Sequence, residues 1–182
     1  MRKIVAGLFM SMDGVVERPE QWTGAHFNDE IGELVGSLIA GGDTLLLGRL
    51  TYQEFAEAFG SGNSGEPMAA VMNGFPKVVV STTLEKAEWQ NSTLISHDVA
   101  KEIVKLKQQP GGNINMSGSN TLLRWLLNQG LLDELHLIVF PVVVGRGKRL
   151  LEGEGELSTM QLAESKAYSN GVLHLTYQTA AA

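Results

Sequence analysis

The sequence predicts an α/β protein, a three-layer, doubly wound, mostly parallel sheet closed by a C-terminal antiparallel hairpin. Three observations predict it. Apolar, β-branched runs of strand length alternate with segments whose apolar residues recur every three or four positions, the pattern of strand-helix-strand units around a parallel sheet. Near the C-terminus the alternation stops, and two strand-like runs flank Asn170-Gly171, the dipeptide that tight hairpins favour. Finally, 182 residues with 43% apolar content suffice for one compact core and are short for two, so residues 1–182 are expected to form a single domain.

The elements follow in order. KIVAGLFM (Lys3 to Met10) is an apolar strand, and the polar, Gly- and Pro-containing stretch Ser11 to His26 is a loop. Asn28 then caps a helix with Asp29 and Glu30 in its first turn, an apolar face of Ile31, Leu34, Val35, Leu38 and Ile39, and a stop at Gly41-Gly42. Thr44 to Leu47 is the second strand. Thr51 and Glu54 have capping-box spacing for a second helix carrying Tyr52, Phe55, Ala56 and Phe59 on one side. SGNSGEP (Ser61 to Pro67) reads as a surface loop, Lys77 to Thr83 as a third strand ending in hydroxyls, and Thr93 to Ile95 as a short fourth.

A helix from Asp98 to about Gln108 is closed by Pro110 and two glycines. Asn113 to Asn120 leads into the helix LLRWLL, which Gly130 ends. The rest is strand-like: Glu134 to Val144, a basic turn GRGKR, Met160 to Tyr168, and Val172 to Thr179, with Ala180 to Ala182 a frayed tail.

Composition excludes several functions. Without cysteine there is no disulfide and no thiolate metal site, and His26, His97, His136 and His174 show no ligand spacing, so no metal is expected. The net charge of −6 speaks against broad nucleic-acid binding, which rests on clustered cations neutralising phosphates. Met1 to Met10 lacks the apolar length of a signal peptide or membrane span, so a cytoplasmic protein without membrane association is expected.

Three strand ends carry polar turns: Gly48-Arg49 with Thr51, Ser81-Thr82-Thr83, and Ser117-Gly118-Ser119-Asn120. In a parallel sheet all three fall on one edge, where helix N-termini offer free N–H groups and ligands collect. Together they suit a pyrophosphate, with Arg49 available as a fork for a terminal phosphate; singly, Thr51 and Asn120 also read as ordinary caps and Arg49 as a chain exit into solvent.

MSMDGVV, TLLLGRLTY, KVVVST, NINMSGSNTLLRWLL and LLDELHLIVFPVVVGRGKRLL stand in the order and spacing of the dihydrofolate-reductase-like superfamily, over nearly the whole chain. More closely, the chain resembles a stand-alone form of the C-terminal reductase domain of the bifunctional deaminase-reductase of riboflavin biosynthesis. The resemblance implies NADPH. By position Gly48, Arg49 and Thr51 match the family's first phosphate turn, Ser81 and Thr82 the turn beside the adenosine 2'-phosphate, and Gly118, Ser119, Asn120 and Thr121 the pyrophosphate turn.

At the reacting end Asp13 is the first candidate for a substrate contact or proton relay, though Asp-Gly is also a common turn pair. Asp29 is the second, matching approximately the early acidic residue of the family's first helix; helix-dipole stabilisation explains it equally well. Trp22 either covers a planar ring or anchors its loop, and Arg146 and Lys148 either bind a phosphorylated substrate or are solvated. The zinc deaminase motif, H-x-E with P-C-x-x-C, is absent. The resemblance therefore implies a small-molecule reductase, best matched to 5-amino-6-(5-phosphoribosylamino)uracil, with dihydrofolate or a non-catalytic NADPH-binding role as alternatives. A homodimer is expected as well, because LHLIVFPVVV and the closing hairpin are apolar for a monomer's edge and the related reductase domains pair.

Overall fold

A computed structural model describes residues 1–60, 67–152 and 158–179. The elements are β1 (Ile4–Ser11), α1 (Asp29–Ala40), β2 (Gly42–Gly48), α2 (Arg49–Phe59), α3 (Pro67–Gly74), β3 (Lys77–Val80), β4 (Ser92–Ile95), α4 (Val99–Gln108), β5 (Asn113–Met116), α5 (Asn120–Asn128), β6 (Glu134–Phe140), β7 (Met160–Ala167) and β8 (Leu173–Thr179). One eight-stranded sheet runs β4-β3-β2-β5-β1-β6-β8-β7. Its first six strands are parallel, while β8 pairs antiparallel with both β6 and β7.

Period-two alternation places the core on both faces. Leu45 and Leu47 join Tyr52, Met72, Val79 and Trp89 under α2 and α3, whereas Leu46 points the other way into the cluster of Ile103, Leu122, Leu123 and Leu126 from α4 and α5. Fully burying each such leucine contributes about 1.5–3 kcal/mol. A third cluster, Ile31, Ile138, Phe140 and Val172, seats α1 beside the β6-β8 end of the sheet.

Several elements differ from the sequence expectation. The second helix starts three residues early, with Gly48 rather than Thr51 as its N-cap and no side-chain capping bond, so Thr51 and Glu54 do not form a capping box. Ser119, rather than Asn120, caps α5 by accepting from the Leu122 N–H at 3.3 Å. The sequence reading missed α3, whose apolar residues are too evenly spread to show a face. Strand β6 stops at Phe140, because Pro141 has no N–H to continue a ladder. The apolar run LHLIVF is therefore interior to the sheet, between β1 and β8, and the exposed edge belongs to β7 alone at this end. The expected loop at 61–67, but for Pro67, and the tail at 180–182 lie outside the described residues.

The edge at the N-terminal ends of the strands is braced by charge. Arg2 pairs with Asp43 and donates to Thr44 Oγ1 at 2.7 Å and the Gly112 carbonyl at 2.8 Å. Asp133 accepts from Lys107 Nζ at 2.6 Å and the Ile4 N–H at 2.7 Å. The buried Lys77 ammonium donates to the carbonyls of Phe75 at 2.7 Å and Gln90 at 3.0 Å.

Candidate functional site

The opposite edge, at the carboxyl ends of the parallel strands, gathers the polar turns. Strand β2 ends in Gly48, paired with Val80 of β3, so Arg49 and Ser81 leave adjoining strands together. Across the other neighbour, a Cβ on Gly48 would collide with Ser119 Oγ, and one on Gly118 would lie 2.9 Å from Thr51 Oγ1. Gly118 also has φ +137°, a conformation that side chains resist. The first turns of α2 and α5 are thus in contact, and glycine is what permits it.

The start of α2 carries no side-chain cap, which leaves its first backbone N–H groups without an intrahelical or side-chain acceptor. Their partial positive charge, reinforced by the helix dipole, favours an anion there. Arg49 is half-exposed at the first helical position, and its guanidinium donates to Gln53 Oε1 one turn along at 3.0 Å, a surface contact that an anion can displace. Asn120 is half-buried and Thr121 exposed in the first turn of α5. The two hydroxyls after β3 differ in character. Ser81 is buried and its Oγ accepts from the N–H groups of Thr83 at 3.2 Å and Leu84 at 3.0 Å, closing its own turn, while Thr82 is exposed.

Asp13 has a role that its spacing did not show. Its carboxylate accepts from Ser11 Oγ at 2.7 Å and from the backbone N–H groups of Val144 at 3.0 Å and Gly145 at 2.8 Å, and Arg149 Nε donates to its carbonyl at 2.9 Å. These donors, the Ser11 hydroxyl first and the two amides next, lower its pKa to about 2. Asp13 is therefore an anion across the neutral range, and this clamp ties the turn after β1 to the segment after β6. The same two segments are joined by Val16 N–H to the Lys148 carbonyl at 3.0 Å and Leu150 N–H to the Gly14 carbonyl at 3.0 Å. Ser11 was not singled out from the sequence and Arg149 only as part of the basic turn GRGKR, and a partner more than a hundred residues away leaves no local signal.

Trp22 anchors its loop. The indole N–H donates to the Glu17 carbonyl at 2.9 Å, and the ring packs edge-on against Phe140 at 5.8 Å. Asp29 is exposed in the first turn of α1 and is not part of the Asp13 clamp. Arg146 is exposed, and Lys148 lies 3.8 Å from Glu17. Around this edge Met12, Leu50 and Val143 are exposed apolar side chains, at 65%, 50% and 71%, a rim suited to a flat ring rather than to bulk water. Among the described residues no group of three His, Asp or Glu is arranged to hold a metal, and no helix is long and apolar enough to cross a membrane.

Comparison with known proteins agrees with the fold. Residues 2–174 match the model of the RibD C-terminal domain. The uncharacterized protein YyaP of Bacillus subtilis (strain 168) is 25% identical over 97% of this chain and 94% of its own length. Among solved structures, a putative riboflavin biosynthesis protein from Shewanella sp. PV-4 superposes with TM-score 0.77 at 17% identity, covering 100% of both chains. Dihydrofolate reductase from Enterococcus faecalis, complexed with NADP(H), superposes with TM-score 0.61 at 15% identity over 98% of this chain and 97% of its own. The fold is dihydrofolate-reductase-like.

Proposed function

Because the chain belongs to the RibD C-terminal domain family, we propose that it is an NADPH-dependent reductase of a small planar heterocycle, 5-amino-6-(5-phosphoribosylamino)uracil being the first substrate to try. The observation that carries this reading is the contact between the α2 and α5 starts, where Gly48 and Gly118 let two helix N-termini close on one site with the α2 amides uncapped. In the proposal those amides, Thr51 and the turn Gly118-Ser119-Asn120-Thr121 hold the pyrophosphate, with Ser119 acting through its backbone because its hydroxyl caps α5. Arg49 and Thr82 hold the 2'-phosphate, and Ser81 shapes the turn that presents Thr82. Bound NADPH would supply the hydride.

The chain's own contribution at the reacting end is positioning and the exclusion of water. Held as an anion by three donors, Asp13 is a positioning residue: it fixes the two loops that wall the site rather than delivering a proton. Trp22 supports the same wall from behind through Phe140. Asp29, on the exposed first turn of α1, remains the candidate to exchange a proton with substrate through solvent, and Arg146 and Lys148 are the cations available to a substrate phosphate. The proposal also places the protein in the cytoplasm and pairs it with a second copy.

Loss of the NADPH absorbance band tests the reading directly, with the phosphoribosylaminouracil and dihydrofolate supplied in parallel. Turnover of the first is the expected result. Tight NADPH binding with no turnover of either compound would remove both substrates and favour a non-catalytic NADPH-binding domain, for which the half-buried cradle alone suffices. Failure to bind NADPH at all would overturn the site.

A further inference from the structure

We propose that the groove between α1 and the β7-β8 hairpin binds a small aliphatic diamine, held by carboxylates on both walls and by a free ring nitrogen of His174 on the floor. The site lies outside the candidate cradle and does not rest on the reductase reading. Its volume is about 360 Å³, against roughly 30 Å³ for one water molecule in the liquid, so it admits a short chain rather than a bare ion. Glu30 and Glu33 line the α1 wall, and Glu164 and Tyr168 the other.

A chain of hydrogen bonds behind the floor fixes what His174 presents. Glu134 Oε1 lies 2.8 Å from His136 Nε2; burial opposes ionisation of this carboxylate, but bonds from His136 and Gln178 outweigh it and keep the pKa below the ordinary value. An ionised carboxylate can only accept, so the proton of neutral His136 is on Nε2 and its Nδ1 is an acceptor. That Nδ1 lies 2.8 Å from His174 Nε2, which therefore carries the N–H of the second ring, and Thr176 Oγ1 shares the acceptor at 3.3 Å. His174 is left with a lone pair on Nδ1. The residue is only 8% exposed, it lines the groove, and its Nδ1 has no hydrogen-bond partner among the described residues. Burial first, then His136, hold the His174 pKa below its ordinary 6.5, while Glu164 and Lys166, facing it from β7, act in opposite senses. At neutral pH the ring is uncharged, and the complement of its free nitrogen is a ligand N–H.

Charge selects the rest of the ligand. Three carboxylates share the groove with one ammonium, that of Lys166, whose Nζ rests 4.5 Å over the Tyr168 ring. Two negative charges are left over. Glu30 accepts from Ser169 Oγ at 2.6 Å, a neutral donor that orients the carboxylate and cancels none of its charge. The side chains of Glu33 and Glu164 have no hydrogen bond or ion pair among the described residues. A metal ion does not answer this arrangement, because no three of the described His, Asp or Glu side chains are placed to hold one. A short chain with an ammonium at each end does. Each primary ammonium carries three donors, so one end meets the α1 carboxylates and the other meets Glu164, with a donor to spare for His174 Nδ1, while the methylenes between them lie on Leu34.

Calorimetric titration of 1,4-diaminobutane into the full chain, at about pH 7.5 and low ionic strength, tests this. One submillimolar site per chain is expected, with butylamine roughly tenfold weaker because it answers one wall only. Glu33→Gln and Glu164→Gln should each weaken the diamine roughly fivefold or more, and His174→Phe, which keeps a ring and removes the lone pair, should do the same. Glu57→Gln, on the exposed surface of α2, should change nothing. Circular dichroism checks the folding of the His174 variant, and the two glutamine variants decide the question if it does not fold. Absence of binding at millimolar diamine, butylamine binding as tightly, or an equal loss in Glu57→Gln would each overturn the proposal, because the groove would then be an acidic surface and no more.

Discussion

Replacing Gly118 by alanine strikes the closest approach in the candidate cradle, and the structure allows its size to be worked out. At φ +137° a side chain sits in a backbone region that costs on the order of 1–3 kcal/mol. The new methyl would also stand 2.9 Å from Thr51 Oγ1 and 3.4 Å from Thr51 Cγ2, nearer than atoms pack, so the α5 turn must back away from α2. The two costs are separable. In Gly118→Ala with Thr51→Ala the steric part is relieved while the backbone part stays. Denaturant unfolding should therefore show Gly118→Ala less stable by about 2–4 kcal/mol, with roughly 1 kcal/mol or more returned in the double variant. NADPH titration should show affinity falling at least tenfold in the single variant, since a shifted turn misplaces the amides on which the phosphates rest. A folded Gly118→Ala protein with wild-type stability and unchanged NADPH affinity would refute the reasoning, because the approach of the two helix starts would then be incidental.

Three further outcomes are expected. Arg49→Ala should weaken NADPH by on the order of 1.5–3 kcal/mol, or ten- to a hundredfold, and spare NADH if the guanidinium meets the 2'-phosphate; calorimetric titration of both cofactors decides, and equal losses would move the contact to the pyrophosphate. Asp13→Asn should lower kcat with little change in NADPH affinity, and the acid limb of the pH-rate profile should stay in place, since a group titrating near 2 does not set a limb above pH 4; a shifted limb would restore Asp13 as a proton carrier. His174 is held below its ordinary pKa, by burial first and then by His136, whose Nδ1 lies 2.8 Å from its Nε2. The unfolded chain thus takes up that proton first as pH falls below about 6.5, so stability should be level above that value and decline as pH drops toward the lowered folded-state pKa. Thermal melts of wild type and His174→Asn compare the slopes, and identical slopes would show that the pair carries no such penalty.

How far the site was legible depended on whether each feature was local. The strand ends Gly48, Ser81 and Ser117 could be placed on one edge from the strand-helix alternation alone, because parallel strands share a direction. Helix ends were harder: Thr51 and Glu54 have the right spacing for a capping box, yet the helix begins three residues earlier, with Gly48 as its N-cap close against Ser119. The short helix α3 was lost because its apolar residues do not segregate to a face. Asp13 was singled out just beyond the first strand as a substrate contact or proton relay, but its carboxylate is held by Val144 and Gly145, which no spacing rule connects to it. The apolar run in β6 suggested an exposed edge where the structure has an interior strand, since a strand flanked on both sides is apolar for the same reason that an interface is.

The two edges of the sheet divide the labour by where their polar groups find partners. At the N-terminal edge the charged side chains of Arg2, Asp43, Lys107, Asp133 and Lys77 are bound to one another or to carbonyls, which satisfies both and fixes the strand starts. Such satisfied pairs add little binding capacity, because any ligand must first displace a good partner. At the C-terminal edge the balance is reversed. The α2 amides have no side-chain acceptor, Arg49 holds only a surface amide, Thr82 is exposed, and the groups that are held, Asp13, Ser81 and Ser119, are bound in ways that shape the turns. With the uncapped α2 amides, Arg49 and Thr82 on one edge, beside exposed Met12, Leu50 and Val143, the candidate site suits an anion and a flat apolar body side by side. A dinucleotide with its ring substrate has that form, and truncating polar side chains at the two edges should separate accordingly, stability at the first and affinity at the second, whereas Gly118→Ala, which adds a methyl at a close approach, costs both.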